Sequence, residues 1–232
     1  MKILIVDNNI MQESWGAKEL VHYARSVENS TVHVRRAPHG DLPADPKAFD
    51  AIVVSGSKTA ANKSDAWIDD LLGFLRRSVD LGKPVLGVCY GHQMLNRAFG
   101  GEKHVRRAER GEFGWTKIRL TGSSPIFEGF PEEFHSFSSH HDEVRELAPG
   151  FRKLAESEIC PIQACQLEDR PVFGVQFHPE RRAEEAKRWF LEQKKKNPSR
   201  PLMHPNGTDK IFDPKVGERI FRNFFALARA GG

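Results

Sequence analysis

Cys89 stands between two glycines in the stretch GVCYG (87–91), and His178 and Glu180 flank a proline in GVQFHPE (174–180). A cysteine attacks only as the thiolate, so it needs a base to take its proton and a setting that tolerates the charge. GVCYG follows the apolar run PVL and leads straight into the helical pattern HQMLNRAFG. A strand that turns at once into a helix crowds its own backbone. Small residues are therefore expected on either side of the corner, with the middle residue lifted to its apex. Cys89 is that residue. It also lies at the N-terminus of the expected helix, whose dipole favours thiolate over thiol. The N–H of Tyr90 faces the same space and can stabilise an oxyanion.

His178 leaves the end of another apolar run. Pro179 keeps the chain extended or turning there. Glu180, two residues on, then faces the same way as His178 and can orient the imidazole and stabilise the imidazolium. Each motif alone has a plain explanation: a buried cysteine between chance glycines, or an exposed loop. Both together, each ending an apolar strand, point to nucleophilic catalysis by a Cys-His-Glu set.

The elements that must hold these residues follow from periodicity. KILIV (2–6), TVHV (31–34), AIVV (51–54) and PVLGV (84–88) have strand length and strand composition. Helical patterns lie between them, at 12–25 and at 64–81, the second with Ser64 as N-cap and Gly82 as C-cap. Apolar strands joined by helices predict an α/β fold, a central mostly parallel sheet flanked by helices on both sides. Ligands bind such sheets at the C-terminal strand edge, where Cys89 is expected. The second half carries the short strands TKIRL (116–120), FHSFSS (134–139), FRKLAES (151–157), PIQACQL (161–167) and PVFGVQF (171–177). These are expected to add to the sheet in antiparallel fashion, the last two as a hairpin with its tip at 168–170. Helices are expected at 183–196 and 216–229. The intervening Pro-, Asn-, Gly- and Asp-rich stretch reads as a long loop, so the chain is expected to be one domain over 1–232 with an inserted loop at about 190–214.

With these residues in place, the sequence resembles the class I glutamine amidotransferase domains, over about residues 45–180 and again in the last helix. SGS (55–57) resembles the family's oxyanion turn, which implies Gly56 as a second oxyanion donor. GEFGW (111–115) and SSHHDEV (138–144) resemble segments of the GMP-synthetase-like branch, with His141 standing where that branch has glycine. The resemblance implies a flavodoxin-like sheet, a glutamine site at Gln93 and around Ser139 and His140, and no cofactor. The chain shows no SGGxDS phosphate loop, and it is most similar to stand-alone members of the branch, which include γ-glutamyl peptidases. Three functions are compatible with this. One is hydrolysis of the γ-amide of glutamine through a thioester, with ammonia passed to a separate synthetase subunit. Another is a free-standing hydrolase of γ-glutamyl compounds. The last is a non-enzymatic regulatory module on the same scaffold, against which the intact Cys, His and Glu argue.

Composition narrows the remaining classes. The 232 residues are 39% hydrophobic and 28% charged, ordinary for a globular chain with a core. No apolar run is long enough to span a membrane, and MKILIVDNN meets Asp7 too soon for a signal peptide, so a cytoplasmic protein is expected. The net charge is +4, and basic clusters occur at Arg106-Arg107, Arg181-Arg182 and Lys194–Lys196, read as solvated helix faces and loops. No aromatic residues interleave them, so nucleic acid is not an expected partner. Cys89, Cys160 and Cys165 form no CxxC pair, and the ten histidines include no HExxH, so no metal site is expected. His140 and His141, adjacent on a strand, are expected to face opposite ways.

Overall fold

The computed structural model describes residues 1–11, 16–168, 170–202 and 215–231. Its first half alternates β1 (Lys2–Asp7), α1 (Lys18–Arg25), β2 (Thr31–Arg36), β3 (Ala51–Val54), α2 (Ala66–Asp80), β4 (Val85–Val88) and α3 (Tyr90–Gly100). The second half contributes β5 (Val105–Leu120), β6 (Glu133–Val144), β7 (Phe151–Glu156), β8 (Ala164–Leu167) and β9 (Val172–Val175), then α4 (Ala183–Lys196) and α5 (Lys215–Ala230). Among the described residues the strands form one sheet in the order β2-β1-β3-β4-β9-β8-β7-β5-β6. β2, β1, β3, β4 and β9 run parallel. The remaining pairings are antiparallel, including the β8–β9 hairpin. The α/β fold with antiparallel additions is as the sequence implies.

Alternation along the strands divides the core. Ile3 and Ile5 of β1 face α1 and α5, together with Leu20, Phe221 and Phe224. Leu4 and Val6, one step out of phase, face α2 and α3 with Leu71, Leu75, Met94 and Leu95. Period two on a strand between two helical layers requires both sets to be apolar, which is why the parallel strands read as unbroken hydrophobic runs. Ile3, Leu71, Phe74 and Leu75 are fully buried, each worth about 1.5–3 kcal/mol relative to exposure. A third, smaller cluster packs Ala186 and Phe190 of α4 on Trp115 and Phe137 of β5 and β6.

Several boundaries differ from expectation. α1 begins at Lys18, and residues 12–15 lie outside the described residues. α2 is preceded by Asp65 rather than Ser64, and it ends at Asp80 with Leu81, not Gly82, as its C-cap and Gly82 following at φ 70°. β5 runs for 16 residues, of which TKIRL is only the end. Its first part, VRRAERGE, is too charged to read as a strand. It is held instead as a ribbon with β6 near the sheet edge, where Arg106 pairs with Glu143 at 2.8 Å and Arg107 with Asp142 at 3.5 Å. The Arg106-Arg107 cluster is therefore on a strand, not on a helix face or loop. Of the stretch 190–214, residues 190–196 belong to α4, because Phe190 is needed in the third cluster, and residues 203–214 lie outside the described residues. No helix among the described residues is long and apolar enough to cross a membrane.

Candidate active site

Cys89 sits between the last residue of β4 and the first of α3, at φ 51°, one of two described non-glycine residues with positive φ. Its N–H donates to Val175 O at 2.8 Å, tying the corner to β9. The flanking glycines are needed for space. A Cβ on Gly87 would lie 2.5 Å from the Gly91 carbonyl, and one on Gly91 would run into Val54 O. Strand and helix cross here backbone to backbone, and Cys89 takes a conformation that side chains rarely adopt. Tyr90 opens α3, so its N–H has no intrahelical acceptor. Its phenol is buried without a hydrogen-bond partner among the described residues, and burial pushes that phenol up.

The His178 ring lies beside this corner. Its Nδ1 is 2.7 Å from Glu180 Oε1, and its side chain is hydrogen-bonded to Cys89. With Nδ1–H donating to the carboxylate, Nε2 is left for the sulfur. The His178 N–H donates to Phe137 O at 2.7 Å, which holds the segment after β9 against β6. Burial alone would push the ring down; the charges of Glu180 and of the Cys89 sulfur outweigh it and raise His178 to about 10. Glu180 is buried, which favours its neutral form, yet the imidazole beside it holds it below the usual carboxylate value. The pair is therefore built to keep a proton on His178 through neutral pH.

Gly56 lies in the turn after β3, between the side chains of Cys89 and His178. A Cβ there would stand 3.0 Å from His178 Cε1 and 3.6 Å from Cys89 Cβ. The turn is fixed from below by Asn8. Its N–H donates to Ser55 Oγ at 3.0 Å, its amide donates to Ser55 O at 2.8 Å, and its carbonyl accepts from Ser57 Oγ at 2.8 Å.

Gln93, Ser139 and His140 meet on the other side of Cys89, around a cavity of about 350 Å³ that Cys89, Arg107 and Arg200 also line. Gln93 is buried rather than on the helix surface, and its Nε2 donates to Asp142 O at 2.8 Å and to Gln176 Oε1 at 3.0 Å. Gln176 in turn donates to Cys89 Sγ at 3.6 Å. Gln176 does not stand out by residue type, although it lies inside GVQFHPE on the face that His178 shares. Arg200 caps the Phe113 ring at 4.4 Å from its centroid. His140 is buried and His141 exposed, as adjacent strand residues must be, and His141 lies within β6 without positive φ.

His140 has a buried partner that the sequence does not reveal. Its Nε2 is 2.9 Å from Glu112 Oε2, and Ser157 Oγ donates to Glu112 Oε1 at 2.6 Å. Gln163 also donates to this carboxylate. Glu112, His140 and Cys160 are the described residues whose ligand atoms lie close enough, within 4.8 Å, to share a metal ion. Three polar side chains already compensate the buried charge of Glu112, as a buried carboxylate requires. The other two thiols are core residues: burial pushes Cys165 up to about 12 and raises Cys160 further.

A doubly wound sheet with a cysteine at a strand–helix corner and a histidine–carboxylate pair ending the neighbouring strand defines a class of acyl-transfer fold. The chain belongs to the class I glutamine amidotransferase family, whose sequence profile matches residues 8–197. It is 46% identical over 97 residues to a component of the glutamine-hydrolysing GMP synthase of Thermococcus kodakarensis, covering 42% of this chain and 50% of that protein. The chain thus spans about half the length of the curated relatives it matches. Its fold is shared with a glutamine amidotransferase from Methylobacillus flagellatus, at TM-score 0.80 and 22% identity over 97% of this chain and 94% of that one. It is also shared with one from Thermotoga maritima, at TM-score 0.77 and 20% identity over 98% and 97%.

Proposed function

We propose that the chain is a single glutaminase-type domain that hydrolyses a γ-glutamyl amide, glutamine being the simplest, with Cys89 as nucleophile, His178 as proton carrier and Glu180 as its support. The carrying observation is the 2.7 Å His178–Glu180 bond beside a cysteine held at positive φ. In this scheme the thiol proton has already passed to His178, and the Cys89 thiolate attacks the γ-carbonyl carbon. The N–H groups of Gly56 and Tyr90 receive the oxyanion. The C–N bond breaks, His178 protonates the departing nitrogen, and a thioester remains. Water, deprotonated by His178, then attacks the thioester, and glutamate and the free thiol are released. The scheme balances with water as the only co-reactant.

Gln93, Ser139 and His140 would hold the amino-acid end of the substrate, with Arg107 and Arg200 positioned for its carboxylate. The relatives are named as components of a GMP synthase, which supports a separate synthetase partner that takes up the ammonia, with both in the cytoplasm. The test is covalent. A glutamine-analogue electrophile should label Cys89 alone, and Cys89→Ala should abolish release of glutamate while Cys160→Ala and Cys165→Ala retain it. Labelling at Cys165 with full turnover in Cys89→Ala would overturn the assignment.

A further inference from the structure

The loop that carries Gly56 is held at both ends. Asn8 fixes its start through Ser55 and Ser57. Its far end is fixed at Ala61, which is buried. The Ala61 N–H donates to Asp142 Oδ2 at 2.8 Å, and Arg97 Nη1 donates to Ala61 O at 2.8 Å. Arg97 also donates to Lys63 O, and it is itself buried on α3, the helix that begins beside Cys89. Between these ends, Ser57, Lys58, Thr59 and Ala60 line the cavity of about 350 Å³ beside Cys89.

Asp142 lines the same cavity from β6. It sits where the β5–β6 ladder shifts register, between the Arg107–Asp142 and Glu112–His140 pairs. β5 has more residues than β6 over that interval, and such a bulge bends the ribbon. The carboxylate reaches across to the loop, with its other oxygen 3.5 Å from Arg107. The backbone carbonyl of Asp142 accepts from Gln93 Nε2 at 2.8 Å and lies 3.1 Å from His140 Nδ1. One residue therefore touches the loop that begins with the oxyanion turn and two of the residues assigned to the amino-acid end of the substrate. Its bond to Ala61 is charge-assisted, stronger than a neutral one. Without it, a buried N–H would be left without an acceptor.

We propose that Asp142 is a positioning residue for the hydrolysis. Its side chain draws the Gly56 loop to β6, and so fixes the width of the glutamyl cavity and the place of the oxyanion donor together. The inference rests on the glutaminase reading above and adds to it what joins the oxyanion turn to the residues that grip the substrate. A glutamyl end seated on Gln93 and Ser139 then lies against a loop whose donor is already in place, and nothing has to be ordered anew as the oxyanion forms. Arg97 pulls on the same loop from α3.

The experiment measures kcat and KM for glutamine in Asp142→Ala, Asp142→Asn, Arg97→Met and the double variant of Asp142→Ala with Arg97→Met. Alongside, Cys89 is alkylated with iodoacetamide, which needs the thiolate but no seated glutamyl end. Asp142→Ala should lower kcat/KM by about tenfold or more, the scale of one hydrogen bond to a charged group. Part of that loss should fall on kcat, because a misplaced donor is felt in the transition state, while alkylation stays near the wild-type rate. Asp142→Asn keeps an oxygen for the Ala61 N–H and should recover most of kcat. Arg97→Met should also lower kcat, and the double variant should lose less than the product of the two losses, since both act through one loop. Asp142→Leu keeps the volume without the acceptor and is read the same way where Asp142→Ala does not fold. An unchanged kcat in the folded variant, a fall of kcat and alkylation together, losses that simply multiply, or failure of both variants to fold would overturn the inference and leave the glutaminase reading intact. A wild-type chain that neither hydrolyses glutamine nor is labelled at Cys89 by a glutamine-analogue electrophile would overturn both.

Discussion

Replacing Glu180 by glutamine isolates what its charge does. The amide keeps the shape of the side chain and an oxygen for the Nδ1–H of His178, which lies 2.7 Å from the carboxylate. It removes the anion. Burial pushes His178 down, while Glu180 and the Cys89 sulfur together hold it at about 10 against an ordinary 6.5. That difference corresponds to about 5 kcal/mol of support for the imidazolium. Burial opposes the charged ring, so the supporting groups supply at least that much, Glu180 first among them; a loss on the order of 2–3 kcal/mol is about thirty- to a hundredfold in rate where the imidazolium must form. We expect kcat/KM for glutamine to fall by that factor, with the alkaline limb of the pH profile moving from near pH 10 towards neutrality. The linked stability has a definite sign. A ring whose pKa is raised on folding stabilises the protein fully below about 6.5 and loses that contribution as pH rises through about 10. Wild type should therefore lose more of its urea midpoint between about pH 7 and 10 than Glu180→Gln does. An unchanged rate and an unchanged alkaline limb in a folded variant would refute the role given to the carboxylate.

His178→Asn should lose more than Glu180→Gln, on the order of a hundredfold or more in thioester formation followed by rapid quench, because the proton carrier itself is gone; activity equal to wild type would end the Cys-His reading. Gln176→Leu removes the amide that donates to Cys89 Sγ and leaves Gln93 Nε2 without one acceptor, so kcat should fall by about tenfold with a smaller change in thermal midpoint. Gly91→Ala drives a methyl into the Val54 carbonyl and should cost about 3 kcal/mol or more in urea unfolding, whereas Gly82→Ala, with open space around it, should cost only the strain of its positive φ.

How much of this can be read in advance depends on whether the determining contacts are local. The Cys89 corner is specified by residues within two positions of it, because the same short stretch supplies the strand end, the space and the helix start. His178 and Glu180 are likewise two apart, and the proline between them sets their geometry. Their approach to Cys89 is a matter of topology, since both follow strands that are neighbours in the sheet, β4 and β9. The partners that sequence reasoning misses are all distant in sequence. Glu112 meets His140 across the β5–β6 ribbon, 28 residues away. Asn8 reaches Ser55 across 47 residues. The charged start of β5 conceals a strand because its neighbours, not its own composition, provide the pairing that makes it one.

The same distinction separates the chemistry from its specificity. Attack, proton transfer and oxyanion stabilisation need a few atoms at fixed positions, and the backbone corners that fix them leave marks in sequence: paired glycines, a proline after histidine, a small residue at 56. The surface around such a corner is set by topology instead. The cavity beside His178 and Glu180 is lined by Lys18 and Glu19 on α1, Lys58 after β3, and Arg181, Glu185 and Arg188 at and within α4. None of these stands out by type or spacing, and Arg181 and Arg188 read in one dimension as ordinary surface charge. They come together because α4 packs Ala186 and Phe190 against β5 and β6, which turns the opposite side of the helix towards His178.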